Sequence, residues 1–347
     1  MKKILFTGGG SAGHVLPNIA LIEELLSTQN VEIAYVGSAG IEKEILQKYP
    51  IPYFEIPCTK LIRGKSFKII KQNLGIPYRL YQSVKQAKKV LLSFRPDIVF
   101  SKGGYVALPV VMACRRLKIP CYAHESDYSI GLANRISARF CKKIFTTFPE
   151  TAKKLKRGVY SGPILRRQVL EATKTDIRQK FGIPKDKPVI LVFGGGSGSK
   201  KINEAVRKRL LSLTEKYFIL HICGKGNVIE NHLKNYLQFE FVKDMGSFYA
   251  VADMVIARGG SGTVFEVLAL KKPAIFIPLE GETRGDQLEN ATYFQRLGLC
   301  HMLQEKHLNR LETEIQLLAN NSQIRKNLLA KNIQAGNGIL LKTLMER

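Results

Sequence analysis

The sequence predicts an α/β protein built from two doubly wound domains, on three observations. Short apolar runs alternate with helical stretches along most of the 347 residues. Two of these runs, KILFT at Lys3–Thr7 and PVILVF at Pro188–Phe193, end in glycine clusters, so the rhythm starts twice. The length also suits two domains at roughly 150 residues each.

The elements follow in order. Lys3–Thr7 is continuously apolar, the pattern of a parallel strand buried on both faces. Pro17–Leu26 is helical, with Ile19, Ile22, Leu25 and Leu26 on one face. Val31–Val36 is the second strand, and Asp97–Phe100, Cys121–His124 and Lys143–Thr147 extend the sheet. Leu108–Leu117 and Leu132–Arg139 supply helices between strands. The rhythm loosens over Gly158–Arg178, which places a domain border within Tyr160–Pro163. After the second start, strands are expected at Phe218–Ile222, Met254–Ala257 and Ala274–Ile277. Ile324–Arg347 is helical in pattern and lies beyond the last strand.

Lys and Arg number 54 against 28 Asp and Glu, and the resulting +26 calls for nucleic acid, anionic lipid or a phosphate-rich substrate. With 45% hydrophobic and 24% charged residues the chain can bury a sizeable core, which excludes disordered and collagen-like classes. Its apolar runs are too short to span a bilayer, and MKKILFTGGG has too short an apolar stretch for a signal peptide. The six cysteines form no C-x-x-C pair and no zinc spacing with histidine, so a reduced, cytosolic protein is expected.

Three segments share a plan of strand, glycine cluster and helix: Gly8–His14, Gly194–Ser199 and Arg258–Thr263. Glycine permits a tight turn and close ligand approach, and the helix N-terminus behind it suits phosphate. One such loop is as easily a structural turn; three in two domains point to a phosphorylated ligand. Gly8, Gly10 and Gly13 satisfy G-x-G-x-x-G, yet the second strand ends in Val36-Gly37-Ser38 rather than an acid. The nearest acid, Glu42, falls in the next helix, which argues against NAD. No segment fits the P-loop pattern.

Two α/β domains with phosphate loops facing across a cleft suit a nucleotide-sugar transferase. The chain has no D-x-D pair for a metal, so no cofactor is expected. Helix N-termini and a cation such as Arg166 would neutralise the departing diphosphate. His14, at the start of the first helix, can take a proton from an acceptor hydroxyl, with helix capping as its alternative role. Glu125 competes for that part from the end of a strand, and His124 beside it can tie down its loop.

Six motifs extend this reading. They are GGGSAGHVLPNIAL from Gly8, SKGGYVALPV from Ser101, HESDYSIGLAN from His124, GGGSGSKKIN from Gly194, FVKDMGSFYAVADMVIARGGSGTVFE from Phe241 and TRGDQLENA from Thr283. By their order and reach the chain resembles the MurG family, the UDP-N-acetylglucosamine (UDP-GlcNAc) transferases that convert lipid I to lipid II in peptidoglycan synthesis. The spelling HESD resembles some Gram-positive members, where others read HEQN.

The resemblance implies an inverting transferase of GT-B architecture, with two Rossmann-like domains facing a central cleft. Residues 1–161 would bind acceptor and membrane, residues 162–330 would bind the UDP-sugar, and a helix over 331–347 would pack back on the first domain. The C4 hydroxyl of the muramoyl sugar would attack C1 of the donor. Ser11, Ala12 and Gly13 match the family's loop near the donor and acceptor diphosphates. Asp127 stands where many members carry an asparagine that touches the donor sugar; a carboxylate donates no N–H, so that contact must change. Arg166 matches the arginine that contacts the donor. Gly196 replaces a serine that meets uracil or diphosphate, with Ser197 beside it as a substitute. Val242 matches an apolar position beside the uracil. Ser261, Gly262, Thr263, Val264 and Phe265 match the helix N-terminus under the diphosphate. Glu266 matches the acid that binds the ribose hydroxyls, and Gln287 the amide that reads the N-acetylglucosamine hydroxyls.

Residues 63–89 mix Lys65, Lys68, Lys71, Arg79, Lys85, Lys88 and Lys89 with apolar and aromatic side chains. Such mixing suits an anionic membrane surface, each base adding about 1 kcal/mol near the headgroups. The acceptor's polyprenyl tail stays in the bilayer, so the resemblance implies docking here, through Phe67, Ile70, Lys71, Leu74, Tyr78 and Tyr81. The expected location is the cytoplasmic face of the cell membrane, peripherally, with UDP-GlcNAc, lipid I and other cell-wall synthesis proteins as partners. Three rivals stand beside this reading. A diacylglycerol transferase of the same superfamily should not keep both HESD-x-x-x-G-L-A-N and GDQ-x-x-N-A, and a UDP-GlcNAc epimerase needs no membrane patch. A nucleic-acid binder is opposed by the lack of any recognisable RNA or DNA motif and of Trp.

Overall fold

The computed structural model describes residues 1–62, 66–172, 175–281 and 284–346; the side chains of Lys68, Ile70, Thr175 and Asp176 also lie outside the described residues. The chain divides into two units, residues 1–164 with 335–347, and residues 165–334.

In the first unit, β1 (Lys2–Thr7), β2 (Val31–Gly37), β3 (Tyr53–Glu55), β4 (Ile98–Ser101), β5 (Cys121–Glu125), β6 (Lys143–Thr146) and β7 (Gly158–Tyr160) form one sheet. Their order is β3-β2-β1-β4-β5-β6-β7, every pairing parallel. Alternation along β1 sends Ile4 and Phe6 to one face, against Val15, Ile19 and Ile22 of the helix Ala12–Thr28. Leu5 faces the other way, toward Val84, Leu91 and Val110. Both faces are covered, which is why the strand is apolar at every position. The last helix, Asn337–Met345, adds Leu340 and Leu344 to the first of these clusters.

In the second unit, β8 (Val189–Phe193), β9 (Phe218–Ile222), β10 (Tyr236–Phe239), β11 (Met254–Ala257), β12 (Ala274–Phe276) and β13 (His301–Met302) pair in parallel, in the order β10-β9-β8-β11-β12-β13. Strand order reverses between β1 and β4 in one sheet and between β8 and β11 in the other. Ligands of open parallel sheets bind at the carboxyl ends flanking such a switch. All three glycine clusters follow these strands: Gly8–Gly13 after β1, Gly194–Gly198 after β8, Gly259–Gly260 after β11.

Two expectations change. The helical pattern from Ile324 is interrupted: Ser322–Ala330 and Asn337–Met345 are separate helices, and residues 331–336, ending in Gly336 at the start of the second, lie between them. The edge strands β3, β7, β10 and β13 span only two to four residues, too short to leave a periodic signal.

Candidate active site

In the first unit the site grows from the carboxyl ends of β1, β4 and β5. Ser11 caps the helix Ala12–Thr28 in an extended conformation. A serine there ordinarily accepts a backbone N–H. Here its Oγ instead lies 2.8 Å from His14 Nδ1. Ser11 and Gly13 are exposed, while Ala12 and His14 are half-buried. The acid that argued against NAD closes the loop from beneath: fully buried Glu42 accepts the Gly10 N–H at 3.1 Å and the Ser38 N–H at 2.9 Å. The Gly10 amide is therefore satisfied within the protein.

Gly104 has a left-handed φ of +81°, and a Cβ there would stand 2.5 Å from the Gly9 carbonyl and 3.5 Å from His14 Nδ1. Only glycine lets the loop after β4 lie against the first loop this closely. Lys102, two residues earlier, is 1% exposed, with Nζ 2.5 Å from Ser126 Oγ. Burial pushes its pKa down to about 8, opposed by the charges of Glu125 and Asp127. His124 is fully buried; burial and then the Lys102 charge hold its ring far below the usual histidine range, against a Gly162 backbone contact, so it is neutral at pH 7. Glu125 accepts three hydrogen bonds: from Asp127 N–H at 3.1 Å, Gly131 N–H at 2.9 Å and Asn134 Nδ2 at 3.0 Å. It shapes the loop that carries Asp127 and leads into the helix Leu132–Ser137.

In the second unit Gly196 and Ser197 are exposed, and a Cβ on Gly196 would meet nothing within 4 Å. The position has room for the serine it lacks. Ser199 caps the helix Lys200–Arg207 and accepts Arg258 Nη2 at 2.6 Å. Arg258 also meets Glu305 Oε1 at 2.7 Å, while Lys201 reaches Glu305 Oε2 at 2.5 Å. Burial opposes ionisation of Glu305, but these two cations and their hydrogen bonds hold its carboxyl below the usual range. This triad, which sequence reading missed, ties the loop after β11 and the helix Lys200–Arg207 to the turn after β13, while Arg258 also reaches Ser199 after β8.

The helix Ser261–Ala269 opens at Gly260. Ser261, Val264 and Phe265 are buried, Thr263 is half-buried and Gly262 is exposed. A Cβ on Gly260 or Gly262 would meet nothing within 4 Å, so no side chain of these two glycines crowds the start of the helix. Glu266 is 7% exposed and is gripped by a guanidinium fork: Arg166 Nε lies 2.7 Å from Oε1 and Nη2 2.9 Å from Oε2. The Tyr249 hydroxyl lies 3.4 Å from Oε2. Gln287 sits in the first turn of the helix Asp286–Arg296 and accepts the Leu279 N–H at 3.0 Å. Val242 is half-buried in the loop after β10.

The expected docking region also belongs to the first unit. Phe67 is 82% exposed and Leu74 73%, with Tyr78, Tyr81 and Lys71 exposed beside them. They lie on or between the helices Phe67–Asn73 and Ile76–Phe94. The second helix buries Ser83, Val84, Ala87, Leu91 and Phe94, which turns Lys85, Lys88 and Lys89 outward. The Ile70 side chain and Lys65 lie outside the described residues. Among the described residues no helix is long and apolar enough to cross a membrane.

Comparison with known proteins bears on both units. The glycosyltransferase family 28 N-terminal domain matches residues 4–146, and the family's C-terminal domain matches residues 189–339. A Shouchella clausii protein is named UDP-N-acetylglucosamine–N-acetylmuramyl-(pentapeptide) pyrophosphoryl-undecaprenol N-acetylglucosamine transferase. It is 44% identical over 333 residues, covering 93% of this chain and 92% of its own. A Clostridium botulinum protein of the same name is 42% identical over 348 residues, covering 98% and 97%. The crystal structure of Acinetobacter baumannii MurG matches over 100% of both chains with a TM-score of 0.77 at 24% identity, a likeness of fold.

Proposed function

The chain belongs to the MurG family within glycosyltransferase family 28, and on that premise we propose how its residues divide the reaction. It is a UDP-GlcNAc-dependent N-acetylglucosaminyltransferase of peptidoglycan biosynthesis, converting lipid I to lipid II.

The second unit takes the donor. Backbone N–H groups at Ser261–Thr263 receive the diphosphate at the helix N-terminus. Glu266 accepts the ribose hydroxyls. Because Arg166 is forked onto Glu266, its role is to fix that carboxylate, and the helix end carries most of the diphosphate charge. The backbone at Val242 reads the uracil, and Ser197 supplies the hydroxyl that Gly196 lacks. Gln287 has its Oε1 on Leu279 and offers its amide NH2 to the sugar.

The first unit takes the acceptor. The C4 hydroxyl of the muramoyl sugar attacks C1 of the donor with inversion, the C1–diphosphate bond breaks, and the hydroxyl proton passes to His14. The Ser11–His14 contact carries this assignment. With the Nδ1 proton donated to Ser11 Oγ, Nε2 holds the lone pair that accepts the acceptor's proton. Glu125 is the weaker candidate, since three N–H donors occupy its oxygens. The sequence has no D-x-D pair, and the proposed transfer is metal-independent. Peripheral docking at the cytoplasmic face of the cell membrane uses Phe67, Lys71, Leu74, Tyr78 and Tyr81.

Transfer of labelled N-acetylglucosamine from its UDP donor to a lipid I analogue, with EDTA present, tests the reading. Robust transfer is expected. UDP binding without transfer would contradict the acceptor assignment. Transfer lost in EDTA and restored by magnesium would contradict metal independence.

A further inference from the structure

We propose that Lys102 is a positioning residue for the transfer reaction, its ammonium clamping the Glu125–Asp127 turn beside the His14 loop. The proposal rests on the reading of this sheet edge as the site of transfer.

Lys102 has no part in the chemistry above, yet it is the most deeply buried cation at this edge. Its N–H donates to the Thr7 carbonyl at 2.9 Å, tying the end of β4 to the end of β1. Its stem fills the space under the first glycine loop, where a Cβ on Gly8 would lie 3.0 Å from Lys102 Cβ. The side chain crosses to the loop after β5 and ends 2.5 Å from Ser126 Oγ. One residue, through its backbone N–H and its side chain, thus joins the ends of three adjacent strands.

A buried ammonium persists only when compensated. The charged and titratable groups that bear on it are Glu125, Asp127 and His124. His124 is neutral, and Glu125 has its oxygens on three N–H groups. Glu125 and Asp127 are thus the two negative charges that bear on the Lys102 ammonium, Glu125 the more strongly. Without the ammonium, two carboxylates two residues apart repel one another, and the turn opens.

The test is a double-mutant cycle on kcat for lipid I-analogue transfer, with UDP affinity and melting temperature measured alongside. Lys102→Met is expected to lower kcat about 100-fold while UDP affinity stays within twofold. Asp127→Asn has a loss of its own, but added to Lys102→Met it is expected to recover activity at least about tenfold, because the uncompensated charge is gone. Losses that simply multiply would overturn the clamp. Should Lys102→Met fail to fold, Ser126→Ala decides: it removes the hydroxyl partner and leaves every charge. A drop in kcat of about fivefold at unchanged melting temperature supports the clamp, and wild-type kcat overturns it. A wild-type chain that transfers nothing overturns the reading of the edge and the clamp together, whereas an active wild type with multiplicative variants overturns the clamp alone.

Discussion

Glu266, the acid proposed to bind the ribose hydroxyls, is already gripped by a guanidinium and is not an isolated acid. Glu266 and Arg166 stand a hundred residues apart in sequence and 2.7 Å apart in space. Glu266→Gln keeps one acceptor oxygen but breaks the fork, so UDP affinity should fall about tenfold or more by titration calorimetry. An affinity within twofold of wild type would remove Glu266 from the site. Residue-scale legibility follows this pattern. Ser11 and His14 are three residues apart, and their helix-start geometry is readable from sequence. Lys102–Ser126, Gly10–Glu42 and Arg166–Glu266 join residues 24, 32 and 100 positions apart, and only the fold brings them together. Lys102 also gives a pH dependence. Its pKa of about 8 lies below the ordinary lysine value, so the native chain sheds this proton first. Between pH 8 and about 10.4 the unfolded chain binds more protons, and this group's contribution to stability rises with pH while its ammonium is lost. Transfer rate should therefore fall from pH 7.5 to about 9 without a parallel fall in melting temperature. A flat rate over that interval would contradict the role given to the ammonium.

The helix Ser261–Ala269 shows what an element contributes beyond its residues. Its sequence is legible because strand, glycines and helix are contiguous, whereas short edge strands such as β13 leave no comparable trace. Gly262 is exposed on this helix with open space at its Cβ position. Alanine in a helix is favoured over glycine by about 0.5–1 kcal/mol, so Gly262→Ala should raise the melting temperature slightly. The same methyl group stands where the proposed diphosphate site approaches the backbone, so UDP affinity should fall about tenfold. Calorimetric melting and UDP titration on one preparation check both signs. A variant that is more stable and binds UDP undiminished would show that the diphosphate does not use this helix end.

At the scale of the molecule, charge and exposed apolar surface act together. The net charge of +26 draws the chain toward anionic surfaces, and Phe67, Leu74, Tyr78 and Tyr81 stand exposed where such a surface can bury them. Full burial of one such side chain is worth about 1.5–3 kcal/mol, so replacing Phe67, Leu74 and Tyr81 together with serine should weaken binding to anionic vesicles about 100-fold or more. Unchanged sedimentation with vesicles would sink the docking assignment. The exposed side chains here were readable from composition, because bases and aromatics are mixed beyond what the buried face of the helix Ile76–Phe94 uses. The division of the fold was readable from two strand-and-glycine starts, since parallel strands covered on both faces must be apolar throughout.

The most direct test concerns His14. Steady-state kcat of His14→Ala should be compared with wild type on a lipid I analogue, beside the UDP dissociation constant of each. The expected result is a kcat lowered about 100-fold or more with UDP affinity within twofold, the signature of a lost proton acceptor in the first unit and an intact donor site in the second. A kcat within a few-fold of wild type, or an equal loss in UDP binding, would contradict the division of labour proposed for the two units.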